Sequence, residues 1–202
     1  MDILQLLLNS ILQVAVFSLL PFLWWCVTAR KKENFFSWIG LTKITDNYKA
    51  IAAVVILFCA ICVVMQMFVV PFLLPPGATV QQSYTGQGVK AIIPILIFGM
   101  IQTGLSEEIL FRGFLLKRLS NRFGYQMGNI IQASIFGIIH GVLFFMVTTP
   151  LKALIIIVLT GLPGWIFGYL NERKCNGSII PSYLCHGIGN CFISFLSAFS
   201  IL

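Results

Sequence analysis

The amino-acid sequence predicts an all-α protein, a polytopic transmembrane helical bundle of about six spans with an amphipathic segment on the cytoplasmic side. Three observations carry that expectation. Hydrophobic residues make up 58% of the 202-residue chain and charged residues only 9%, whereas soluble domains carry about 25% charged residues. The mean hydropathy is +0.96. The apolar residues fall into six runs, each near the ~20 residues a helix needs to cross a bilayer. The connections between them are too short to fold alone, so residues 1–202 read as one transmembrane domain.

The first span, 3–28, reads as retained rather than as a removable signal peptide. It lacks a basic leading region, carries Asp2, and is followed by Arg30-Lys31-Lys32. The second span, 50–74, ends at an uncharged loop over 75–88 rich in Gly, Gln and Ser. The third, 91–111, runs into a segment where Phe111, Phe114, Leu115, Leu116, Leu119 and Phe123 alternate with Arg112, Lys117, Arg118 and Arg122. That is an amphipathic helix with a basic face, an interfacial continuation lying at the headgroups. The fourth span is 126–148. The fifth, 151–170, is interrupted by Gly161, Pro163 and Gly164, where bundle neighbours can satisfy the freed backbone groups. The sixth is 179–201. Asn176-Gly177-Ser178 fits a glycosylation acceptor, but its position argues for a turn, with Pro181 opening the last helix.

Basic residues set the orientation. Eleven of the thirteen Lys and Arg lie in the first, third and fifth connections, against Lys90 and Lys152 on the other side. Those three connections therefore face the cytoplasm and both termini face out. The net charge of +7 belongs to orientation and anionic lipid contact, which argues against nucleic acid as a partner. The six cysteines sit mostly in apolar runs. Cys59-x-x-Cys62 has redox spacing, but a thiolate there would be unsolvated, so both read as packing residues.

Chemistry is concentrated in a few misplaced polar groups. The chain has only six acidic residues, and two of them, Glu107 and Glu108, end an apolar run. A carboxylate at membrane depth is costly enough to mark a functional site by default. Glu108 and Arg112 are i,i+4 and can pair, while Glu107 projects about 100° away. One carboxylate can be held by the arginine. The other can face a cavity as general base. His140 lies deep in the fourth span and, alone, is more often a packing histidine. His186 and Asn190, also i,i+4, share a face of the sixth, where inter-helix hydrogen bonding is the plainer alternative. At 1.5 Å per residue, Glu107, His186, Asn190 and His140 lie ~15, ~10, ~16 and ~21 Å from their cytoplasmic ends. On that count the four can share one cavity open to the cytosol, with His140 at its floor.

Glu107-Glu108-x-x-x-Arg112, Phe136-x-x-x-His140 and His186-x-x-x-Asn190 occur in the order seen in the CPBP family, the CAAX prenyl endopeptidases and bacteriocin-processing enzymes also called Abi. The sequence resembles that family from Ser106 to Cys191, and over the first two spans only as generic membrane helices. The resemblance implies an intramembrane endopeptidase with a catalytic core of about 91–200, acting on a membrane-associated peptide or protein. It implies Glu107 as the base that activates water. His186 and Asn190 would polarise the carbonyl, His140 would hold the water or the tetrahedral intermediate, and Glu108 and Arg112 would position the site. No cofactor is expected. Zinc, which two histidines and a glutamate would suit, is the lesser alternative, because the H-E-x-x-H spacing is missing. The chain is compact for this family, so prenylated substrates are not implied. A non-enzymatic bacteriocin immunity factor or a proton-handling membrane protein remains the alternative.

Overall fold

The computed structural model describes residues 2–44 and 48–202, and among them all regular structure is helical. α1 (Ile3–Thr28) begins at Asp2, whose carboxylate accepts a hydrogen bond from the Leu4 amide at 3.0 Å, the usual way to satisfy a helix's first donors. A single turn, α2 (Phe35–Trp38), follows, capped by Asn34. α3 (Ile51–Leu73), α4 (Gly88–Phe123), α5 (Tyr125–Phe145) and α6 (Pro150–Lys174) are, with α1, long and apolar enough to cross a membrane. The sixth expected span is α7 (Ile180–Ala198), 19 residues long. It is less apolar because it carries Ser182, His186, Asn190, Ser194 and Ser197 on a largely buried helix. Burial inside the bundle replaces lipid contact, so it does not need the hydropathy of the outer helices.

α7 packs against α4, against α3 and against a helical turn at Gln81–Tyr84. α5 and α6 form an antiparallel hairpin. At the interruption in α6, the α5 side chains Gln132 and Asn129 donate to the carbonyls of Gly164 and Trp165 at 2.9 and 3.0 Å. The polar neighbours expected beside Pro163 are therefore present.

α4 spans 36 residues, ~54 Å at 1.5 Å per residue, against a hydrocarbon core of ~30 Å. Its amphipathic end is continuous with the span and stops at Gly124, whose φ of +79° turns the chain into α5. The basic face does more there than meet headgroups. Lys117 donates to Glu172 and to the Gly177 carbonyl, both at 2.8 Å, and the Arg118 guanidinium lies 3.9 Å from the Trp38 ring centroid. The Ile179 amide donates to the Gly40 carbonyl at 2.8 Å. These ties bind the first, third and fifth connections into one closed layer. Asn176 and Gly177 form the expected turn, with φ of +51° and +76°.

Candidate active site

The site forms where α4 and α7 come closest, and glycine permits the approach. A Cβ added at Gly104 would lie 3.1 Å from the Gly187 Cα, and one at Gly99 would lie 3.1 Å from the Gly187 carbonyl oxygen. Around this contact α4 winds in wide π-helical turns over Ile97–Leu105 and Ile109–Leu116, with Ser106–Glu108 between them. Such turns are rare and recur at functional sites. They flank the two glutamates directly.

Glu108 is completely buried and saturated with partners. Arg112 Nη1 donates to Oε1 at 2.8 Å, Ser182 Oγ donates to Oε2 at 2.5 Å, and His186 Nδ1 lies 3.1 Å from Oε1. Ser182 is itself held by Asn171, whose Nδ2 donates to the serine oxygen at 2.7 Å and whose Oδ1 accepts from the serine amide at 3.2 Å. Glu108, Arg112, Asn171 and Ser182 all have 0% exposure. Arg112 is thus not part of the basic surface that the spacing suggested. Its guanidinium stacks 4.5 Å from the Phe136 centroid and 5.4 Å from that of Phe167, a cation–π setting that strengthens where water is excluded. A Cβ at Gly164 would meet Arg112 Nη2 at 3.3 Å, so that glycine makes room for the cation.

Glu107 takes the opposite direction. It lines a cavity of about 570 Å³ together with His140, His186 and Asn190. All four residues expected to share a cavity therefore do so, while Glu108 and Arg112 stand behind the wall. Glu107 Oε2 has no hydrogen-bond partner and lies 3.7 Å from His186 Nε2, too far for a direct hydrogen bond. His186 stands between the two carboxylates, its Nδ1–H given to Glu108 and its Nε2 turned to the Glu107 side. His140 Nδ1 lies 2.9 Å from the Phe136 carbonyl. Donation there fixes a tautomer that leaves Nε2 as an acceptor. Asn190 Nδ2 donates to Thr103 Oγ1 at 2.9 Å, and Asn190 Oδ1 accepts from Gln81 at 3.4 Å. One Asn190 N–H remains for the cavity.

The lining does not follow the depths expected from helix ends. From Glu107 and His186 it runs through Met65, Val70 and Leu143 to Leu74 and to residues 78–81 of the loop after α3. The basic end is closed by the buried Glu108–Arg112–Ser182–Asn171 cluster. The cavity therefore extends from Glu107 toward the loop after α3, away from the basic connections. Counting residues to helix ends could not reveal this, because the closure is made by pairing between distant helices.

Zinc does not suit these donors. Among the described residues no three His, Cys, Asp or Glu side chains are grouped to hold a metal, and Glu108 has both oxygens engaged.

Sequence reasoning missed Ser182, Asn171, Thr103 and Gln81. Ser182 and Asn171 carried a usable signal, uncharged polar residues inside or beside apolar runs. Gln81 carried none, since glutamine is ordinary in a polar loop.

A family model described as "Type II CAAX prenyl endopeptidase Rce1-like" matches residues 88–192, from the start of α4 to α7. The curated proteins and the solved structures yield no match.

Proposed function

Because the chain belongs to the Rce1-like family of type II CAAX prenyl endopeptidases, a multi-pass membrane protein of a protease family, we propose that it hydrolyses a peptide bond of a membrane-associated peptide or protein by glutamate-activated water. The observation that carries this reading is Glu107 lining a cavity that His140, His186 and Asn190 also line, with its buried Oε2 free of any hydrogen-bond partner.

The steps follow from the donors present. Water in the cavity gives a proton to Glu107 as its oxygen bonds to the carbonyl carbon. The His140 Nε2 lone pair accepts the water's second hydrogen and holds its orientation. The developing oxyanion takes the spare Asn190 N–H and, from protonated His186, the Nε2–H. Glu108 supports that imidazolium through Nδ1, and Arg112 balances the second carboxylate. Glu107 then returns its proton to the leaving amine as the C–N bond breaks. The wall of the cavity is largely apolar, and a low local polarity strengthens each of these interactions. The catalytic core is about 91–200, and the basic connections face the cytoplasm.

The test uses purified protein in lipid nanodiscs with a mixed library of hydrophobic peptides, its products read by mass spectrometry. Wild type yields defined cuts that a divalent-metal chelator does not suppress. Glu107→Gln inserts and folds but yields none. Cleavage at the wild-type rate by that variant overturns the mechanism, and loss of cleavage in chelator returns the site to metal chemistry.

A further inference from the structure

The family match begins at residue 88, yet much of the cavity wall comes from before it: α3, and the turn at residues 79–81. One side chain from this part reaches the reacting groups. Gln81 Nε2 donates to Asn190 Oδ1 at 3.4 Å, and both residues line the cavity.

The turn that carries Gln81 is built to hold it still. Thr79 and Gln82 cap it reciprocally: the Gln82 amide donates to Thr79 Oγ1 at 3.4 Å, and the Thr79 amide donates to Gln82 Oε1 at 3.3 Å. This is the capping-box arrangement, here on a short helical turn. Tyr84 anchors the far end at 1% exposure, its ring 6.4 Å from that of Phe98. The Gly86 amide then donates to the Ser197 carbonyl on α7 at 3.3 Å.

Asn190 needs a partner at its oxygen. Thr103 Oγ1 lies within donating distance of the Phe98 and Gly99 carbonyls, at 3.1 and 3.3 Å, so toward Asn190 it acts as acceptor and binds Nδ2. Nothing about Thr103 forbids the reverse, because its hydroxyl can swing to donate instead. The terminal torsion of asparagine is broad and nearly two-fold. A donor fixed at Oδ1 is what makes the two orientations unequal, and Gln81 is that donor.

We propose that Gln81 is a positioning residue for the oxyanion, supplied by a segment outside the family match, which keeps the Asn190 carboxamide turned with one Nδ2–H into the cavity. The inference rests on the peptidase reading above. Its effect falls on the transition state, where the oxyanion exists, rather than on substrate binding.

The experiment uses one peptide from the library that wild type cuts, with kcat and KM measured for Gln81→Met, Gln81→Glu, Asn190→Ala and the Gln81→Met/Asn190→Ala pair. Losing one oxyanion donor costs about 10²–10³-fold, so disordering one costs roughly tenfold. Gln81→Met and Gln81→Glu therefore lower kcat about tenfold with KM within about threefold. In the Asn190→Ala background, Gln81→Met costs less than about twofold, because the group it positions is gone. A kcat for Gln81→Met within twofold of wild type, or an undiminished tenfold loss on top of Asn190→Ala, overturns the assignment of Gln81. If that happens while Glu107→Gln is inactive, the peptidase reading stands and only this inference fails. Wild type that cuts no peptide overturns both.

Discussion

Glu107 and Glu108 share a peptide bond and have opposite surroundings. Glu108 has no exposure and both its oxygens are engaged by Arg112, Ser182 and His186. Glu107 lines a cavity, and its Oε2 has no hydrogen-bond partner, only His186 Nε2 at 3.7 Å. At the basic end both oxygens of Glu108 are held inside a buried polar cluster; the other end is apolar, roomy and lined by a loop. What separates them is a helical rotation of about 100° per residue. A single step along the backbone moves a carboxylate from a buried, fully engaged cluster to the wall of the cavity.

That contrast can be broken by exchanging the two. Glu107→Gln lowers kcat about 10²–10⁴-fold, the range for a general base, and leaves the thermal midpoint in detergent within ~2 °C of wild type. Equal destabilisation by Glu107→Gln and Glu108→Gln would erase the distinction. Arg112→Ala comes next. Breaking a buried ion pair by deleting one partner costs about 3–5 kcal/mol, seen as a lowered midpoint in denaturant titration of the micellar protein. A change under ~1 kcal/mol would mean the closed end is not closed. Ser182→Ala removes one of three donors to Glu108 and costs about 1–3 kcal/mol by the same measurement. Smallest is Tyr84→Phe at the loop end. The Tyr84 hydroxyl is buried without a partner, and burial pushes its pKa up to about 12. Its removal is neutral or stabilising by up to ~1 kcal/mol, whereas a loss comparable to that of Ser182→Ala would mean the hydroxyl has a partner after all.

The helices were legible because a run of about 20 apolar residues is suited to a bilayer-crossing helix and to little else. The Glu108–Arg112 pair was legible because i,i+4 is a local relation. α7 was legible as a helix although its hydropathy is lower, since several of the residues that lower it line the cavity or hold Glu108. The partners of Glu108 were harder. Ser182 and Asn171 are uncharged, so their burial is cheaper than that of an acid, and they stand out less against an apolar run than ionisable groups do. The closed end could not be read at all, because Ser182 lies 74 residues from Glu108 and no local spacing shows that they meet. Gln81 was invisible for the same reason, 109 residues from Asn190.

The 74-residue separation between Glu108 and Ser182 also bears on how the chain is made. Ribosomes add about 5–20 residues per second, so several seconds pass between synthesis of the carboxylate and synthesis of the hydroxyl that donates to it. During that interval Arg112, only four positions along, is the counter-ion already at hand. In the nascent third span the carboxylate therefore has its counter-ion within one helical turn, before the last helix is made. A chain lacking the arginine would be exposed at that stage, before any question of folded stability arises.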